Sequence, residues 1–206
     1  MRRSSLCLTD LPPFSRETVV CLGTFDGVHR GHQALIARAA QVGKDQGLLP
    51  CAYTFDVPPA AVLAHRPALV LTQIPEKAAL MQRYGIEQVV YSHFDAALAG
   101  QDPREFFEDT LLRRLRARHL VIGFHYRFGK AAAGNAALIQ AYCEQAGIGL
   151  SVIPPVRLEN GELVSSTAVR GLLQAGQFAA AREMLGHGLT AWPQTQKEGE
   201  DYAGIS

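Results

Sequence analysis

The stretch Gly23-Thr24-Phe25-Asp26-Gly27-Val28-His29-Arg30-Gly31-His32 decides how this chain is read. It follows Thr18 to Gly23 (TVVCLG), a compact β-branched run that reads as a buried strand, and precedes His32 to Gln46, where Leu35, Ala39 and Val42 recur at helical spacing. A glycine-rich turn between strand and helix lets the backbone approach a ligand closely. The helix behind it presents unpaired N–H groups and the positive end of its dipole, which together favour an anion. His29 and His32, three apart, are expected to face the same way in the first helical turn. Two imidazoles there can donate to one phosphate, or simply cap the helix; both readings stand on these residues alone. A metal site is the poorer reading, because no third ligand lies near the histidines. The glycines at 23, 27 and 31 do not match a G-x-G-x-x-G dinucleotide loop.

Outward from this turn, short apolar runs alternate with helical stretches. Leu49 to Phe55, Gln88 to Ser92, His119 to Gly123 and Gly149 to Ile153 read as further strands. Between them, helices are expected over Thr72 to Tyr84 (closed by Gly85), from Pro103 to about Ala117 with Asp102 as cap, and over Asn135 to Ala146. Ser166 to Leu173 and Phe178 to Leu185 read as two closing helices, and Pro58-Pro59 as a loop. This alternation predicts an α/β fold with a doubly wound, mainly parallel sheet. Ligands then bind outside the carboxyl ends of the strands, which puts the loops after Gly23, Phe55 and Gly123 on one edge.

Leu163-Val164-Ser165-Ser166-Thr167-Ala168-Val169-Arg170 is the second anchor. Hydroxyls open a helix, and Arg170 lies one turn in, within reach of a phosphate. Alone, the segment reads equally as a well-capped helix with a surface arginine; paired with the first loop, it reads as a phosphate site.

Both segments resemble those of a known family. His29-x-Gly31-His32 after a strand resembles the HxGH signature of the α/β nucleotidyltransferases, which have a Rossmann-like fold. The wider run FDGVHRGH resembles the FMN adenylyltransferase (FAD synthetase) module of bacterial bifunctional riboflavin kinase/FAD synthetases. Ser165-Ser166-Thr167 with Arg170 resembles that family's SSTxxR motif. The similarity runs from about Thr18 to Gly186 and takes in Thr54-Phe55, Thr72, Glu76-Lys77, Glu105-Phe106, Tyr126-Arg127-Phe128-Gly129 and Leu185-Gly186.

The resemblance implies transfer of AMP from ATP to FMN with Mg²⁺. It implies His29, His32 and Arg170 as catalytic, and Gly23, Thr24, Phe25, Asp26, Gly31, Ser165, Ser166 and Thr167 around ATP. Phe55, Pro59, His125 and Arg127 are then expected around the acceptor, with no metal ligated by the protein. Several positions depart from the family pattern. Val57-Pro58-Pro59 replaces Pro-His-Pro, His125 stands where an aspartate is usual, Val70 precedes Leu71-Thr72, and Gly134-Asn135 replaces Gly-Asp after Ala131-Ala132-Ala133. These changes gather on the acceptor side, so a different phosphorylated acceptor, or a non-catalytic nucleotide or flavin binder, stays as an alternative.

Composition narrows the class further. Of 206 residues, 48% are apolar and 19% charged, with a formal net charge of +1, which excludes a disordered chain and gives no global reason to bind nucleic acid. Four scattered cysteines, Cys7, Cys21, Cys51 and Cys143, lack a CxxC pair and suggest a reducing compartment. No run approaches the roughly 20 apolar residues of a membrane helix, nor is there a signal-peptide core after Met1-Arg2-Arg3. The chain is therefore expected to be cytoplasmic, with no membrane partner. One nucleotidyltransferase domain is expected over residues 1–189, with a polar tail over 190–206 and no riboflavin kinase module. The sequence leaves the oligomeric state open.

Overall fold

A computed structural model of the chain describes residues 5–63 and 69–188. Six strands form one wholly parallel sheet: β1 (Ser5–Cys7), β2 (Thr18–Leu22), β3 (Leu49–Phe55), β4 (Gln88–Ser92), β5 (Ala117–Gly123) and β6 (Gly149–Ile153), in the spatial order β1-β4-β3-β2-β5-β6. The chain winds from β2 to β3 and β4 in one direction, then returns across β2 to place β5 and β6 on the other side. The winding reverses between β2 and β5, and a parallel sheet opens its ligand crevice at such a reversal, outside the strand carboxyl ends.

Helix α1 (Arg30–Gln46) starts two residues earlier than the apolar spacing suggested, because His29 serves as its cap. It is followed by α2 (Pro59–Leu63), α3 (Ile74–Arg83), α4 (Ala96–Ala99) and α5 (Pro103–Glu105), then α6 (Ala136–Ala146), α7 (Ser166–Gln174) and α8 (Phe178–Leu185). Pro58 lies in the expected loop, but Pro59 opens α2: a proline's missing N–H costs nothing in a first helical turn. The helix expected to reach Ala117 stops at Arg114, and nine of its residues, Phe106–Arg114, are π-helical. Ala117 already belongs to β5. Asp102 caps α5 as expected, accepting from the amides of Arg104 at 2.8 Å and Glu105 at 3.3 Å.

Alternate residues of β2 supply two cores. Val20 and Leu22 pack with Tyr53, Leu120 and the π-helical Phe106 and Leu111 on one face. Val19 and Cys21 pack with Ile36 and Ala39 of α1 and Met81 of α3 on the other. This two-sided burial explains why the strands read as continuous apolar runs. Cys21 and Cys51 are free, fully buried core residues, and burial pushes the Cys51 thiol up to about 12. A third, smaller cluster joins Leu71 to Val169, Leu173, Met184 and Leu185, docking α7 and α8 onto the chain just before α3. Residues 1–4, 64–68 and 189–206, including the expected polar tail, lie outside the described residues.

Candidate active site at the carboxyl edge of the sheet

The turn between β2 and α1 is held in a backbone shape that few sequences adopt. Phe25 (φ 48°), Gly27 (φ 81°) and the β-branched Val28 (φ 39°) all have positive φ. A β-branched residue there is strained, and such strain persists only where surrounding contacts over-determine it. Those contacts come from α1 and from distant parts of the chain. The Gly27 amide donates to Thr72 Oγ1 at 2.9 Å, and its carbonyl accepts from His187 Nε2 at 2.9 Å. The Asp26 carbonyl accepts from Ser166 Oγ at 2.8 Å, and the Val28 carbonyl from Gln33 Nε2 at 2.8 Å.

Asp26 is the hub of this bracing. Its Oδ1 accepts from the amides of Leu71 at 2.9 Å and Thr72 at 3.0 Å, and its Oδ2 pairs with the Arg170 guanidinium. Arg170 Nε also donates to the Leu69 carbonyl at 2.7 Å. The structure thus ties the two sequence anchors together, though not around open phosphate donors. Asp26 is 1% exposed and Phe25 is fully buried in the core beside α1. Both side chains, expected around ATP, sit beneath the turn and shape it from inside. Ser165 caps α7 by accepting from the Ala168 amide at 3.1 Å, and Thr167 is exposed.

The two histidines do come together. Their rings stack with centroids 3.7 Å apart and planes 15° from parallel. His29 Nδ1 accepts from the His32 amide at 3.3 Å, which places the ring proton on Nε2 and leaves that N–H as a donor. A Cβ on Gly31 would press on the His29 ring at 3.1 Å, so glycine lets that ring lie close to the helix start. Burial first, and then the positive charge of Arg170 and His187, brings the His29 pKa down to about 4. Burial, with His29 and Lys77 nearby, also holds His32 well below its ordinary value. Both rings are therefore neutral near pH 7, so each offers an N–H rather than a charge. The His32 Nδ1 is shut off from solvent and has no hydrogen-bond partner among the described residues, an unmet buried group that invites a ligand.

On the other side of β3 lies a cleft of about 400 Å³, a size usual for small-molecule sites. Three of the four expected acceptor residues, Phe55, Pro59 and Arg127, line it, together with Phe94, Phe106 and Phe128. Its walls are aromatic. Phe55 meets Phe94 edge-on at 5.1 Å, and Tyr126 stacks parallel to Phe128 at 5.7 Å. The fourth expected residue, His125, is exposed, turned against Phe124 and outside the lining.

Glycines set the shape of this wall. A Cβ on Gly134 would meet the Phe128 ring at 2.5 Å, and one on Gly129 (φ 71°) would meet Pro103 at 2.6 Å. The change from Gly-Asp to Gly134-Asn135 is structurally mild, since Asn135 caps α6 by accepting from the Leu138 amide at 2.9 Å, which asparagine does as well as aspartate.

A strained glycine turn with two stacked histidines at a helix start, beside the strand reversal of a parallel sheet, defines an α/β nucleotidyltransferase fold. A family model described as FAD synthetase matches residues 11–168, and the chain belongs to that family. It is 32% identical over 175 residues to a Listeria monocytogenes protein named FAD synthetase, covering 84% of this chain and 70% of that one. It is 30% identical over 176 residues to a putative bifunctional riboflavin kinase/FMN adenylyltransferase of Geobacillus thermodenitrificans, covering 85% and 90%. With the bifunctional riboflavin kinase/FMN adenylyltransferase of Escherichia coli K12 the identity is 32% over 170 residues, and the chain spans about half (54%) of that protein's length.

Among solved structures, one described as a macrolide-efflux protein from Streptococcus pneumoniae superposes with a TM-score of 0.77 at 27% identity, covering 90% of this chain and 63% of that one. A pantoate-beta-alanine ligase from Francisella tularensis (TM-score 0.51, 15% identity, covering 83% and 71%) shares the fold alone. No helix among the described residues is long and apolar enough to cross a membrane.

Proposed function

We propose that this protein is an FMN adenylyltransferase, joining FMN and ATP into FAD and pyrophosphate, and that it works in the cytoplasm. An oxygen of the FMN phosphate attacks the α-phosphorus of ATP, the bond from that phosphorus to the β-phosphate bridge breaks, and pyrophosphate leaves. The observation that carries this reading is the adjacency of two unlike half-sites. A turn built for phosphates ends β2, and an aromatic slot fit for a planar ring system opens beside the end of the neighbouring β3.

Catalysis in this reading is positioning plus electrostatics. His29 Nε2–H and the His32 ring donate to the ATP phosphates, while the backbone of Gly23 to Gly27 cradles them. Ser165, Ser166, Thr167 and the start of α7 close the far side. Arg170 acts in two capacities: it fixes Asp26, and its remaining amino group faces the leaving pyrophosphate. Phe55, Pro59 and Arg127 hold the acceptor, with His125 at the rim. Among the described residues no three His, Cys, Asp or Glu side chains gather as a metal cage. Magnesium, which the family resemblance implies, would accompany the nucleotide and offset its phosphate charge.

Incubating the purified chain with ATP, Mg²⁺ and FMN and separating the products by chromatography tests this directly. FAD and pyrophosphate in equal amounts are expected; folded, ATP-binding protein that makes no FAD overturns the reading.

A further inference from the structure

Lys77, on the first turns of α3, is 3% exposed, an unusual position for an ammonium group. Its Nζ donates to the Thr24 carbonyl at 2.9 Å and to the Phe55 carbonyl at 3.1 Å. Thr24 belongs to the phosphate turn after β2, and Phe55 is a wall of the aromatic cleft at the end of β3. One buried cation therefore bridges the two half-sites, and its third N–H is not accounted for by either carbonyl.

The charges around it are already matched elsewhere. Asp26, in the turn, is paired with Arg170. Asp56, just past β3, is paired at 2.8 Å with His93, whose pKa it raises. His32, facing Lys77 from α1, is neutral near pH 7. The two carboxylates that act on Lys77 each have another partner, Arg170 for Asp26 and His93 for Asp56, and the histidines of the turn carry no charge of their own. Lys77 is left as a buried ammonium resting on two backbone carbonyls, at the junction where the two substrates' phosphates must meet.

We propose that Lys77 is the positioning cation of the transfer site, joining the phosphate turn to the acceptor cleft and offsetting the negative charge that gathers where the acceptor phosphate approaches the nucleotide. This rests on the adenylyl-transfer reading. Asp26 and Asp56 favour the charged ammonium, but burial outweighs them and brings its pKa down to about 8. The charge is therefore present below that pH and lost above it.

The test compares the full-length wild type with Lys77→Met, which keeps length without charge, and Lys77→Arg, which stays charged at any working pH. ATP affinity is read by calorimetry, FAD formation is followed from neutral to alkaline pH, and melting is checked by circular dichroism. A folded Lys77→Met enzyme is expected to lose about 10²-fold in kcat, the usual scale for removing one preorganised electrostatic group. It should also bind ATP more weakly. Wild-type turnover should fall as pH rises through about 8, and Lys77→Arg should lack that fall.

Lys77→Met within about threefold of wild type in both kcat and ATP affinity, less than 1 kcal/mol, overturns the proposal. An alkaline fall that persists in Lys77→Arg overturns it too, and this arm decides the matter if Lys77→Met fails to fold. Should the wild type make no FAD, the FMN reading fails by itself, and the ATP affinities still decide the role of Lys77.

Discussion

The phosphate turn and the aromatic cleft sit at neighbouring strand ends and are built on opposite principles. The turn is polar, strained and held from outside: Asp26, Gly27 and Val28 give their backbone groups to Thr72, His187, Ser166 and Gln33. The cleft is apolar and held by contact among its own rings, with glycines at 129 and 134 making the room. The difference shows where tolerance lies. Altering one brace of the turn disturbs several hydrogen bonds at once, whereas altering one wall of the cleft changes only a local volume. Of the departures from the family pattern, Pro59, Ala131 and Ala132 line the cleft, while Val70 sits between Leu69 and Leu71, which brace the turn through backbone groups that any residue but proline supplies.

The sharpest way to break this contrast is Asp26→Ala. It strips the acceptor from the Leu71 and Thr72 amides and leaves Arg170 without its carboxylate. A loss of about 3–5 kcal/mol in urea unfolding is expected, as for other buried pairs broken on one side. A loss near zero would mean the turn keeps its shape without its hub.

His29 comes next. His29→Ala should lower kcat about 10²–10³-fold, while His29→Asn, which keeps a capping acceptor for the His32 amide, should retain the fold but not the rate. A rate near wild type in His29→Asn would reduce this ring to a helix cap.

The same residue carries an acid dependence. Unfolded, His29 takes up a proton near pH 6.5; folded, it resists until about 4. The unfolded state therefore binds more protons between those values, and stability falls as pH is lowered through that window.

The smallest effect belongs to the cleft. Phe55→Ala should raise the acceptor KM about tenfold, near 1.4 kcal/mol, and leave the KM for ATP unchanged. A parallel rise in both would show that the two half-sites are less independent than their construction suggests.

Most of this architecture was legible from residue order. Five strands and the long helices follow from apolar runs and their spacing, clearest in the central β2 and β3, where both sheet faces are buried. β1 was not, since Ser5-Leu6-Cys7 is too short to show a pattern and exists only by pairing with β4. The π-helical register of Phe106–Arg114 was hidden for another reason: its apolar residues suit an α-helix equally well.

In the site, the histidines and the hydroxyl run announce themselves. That the Asp26 and Phe25 side chains turn inward was not legible, because a motif records which residues recur, not which way they point; three positive φ values in four residues set that direction. Lys77 entered the sequence reading only with Glu76, as part of the family similarity, and its burial on the inner face of α3 was not legible. Its meaning depends on two carbonyls 53 and 22 residues away.

The pairing of Asp26 with Arg170 joins residues 144 positions apart. During synthesis the glycine turn leaves the ribosome well before its partner in α7 and the His187 donor after α8. All six strands precede both in the chain, so the sheet can assemble before the turn receives these two braces.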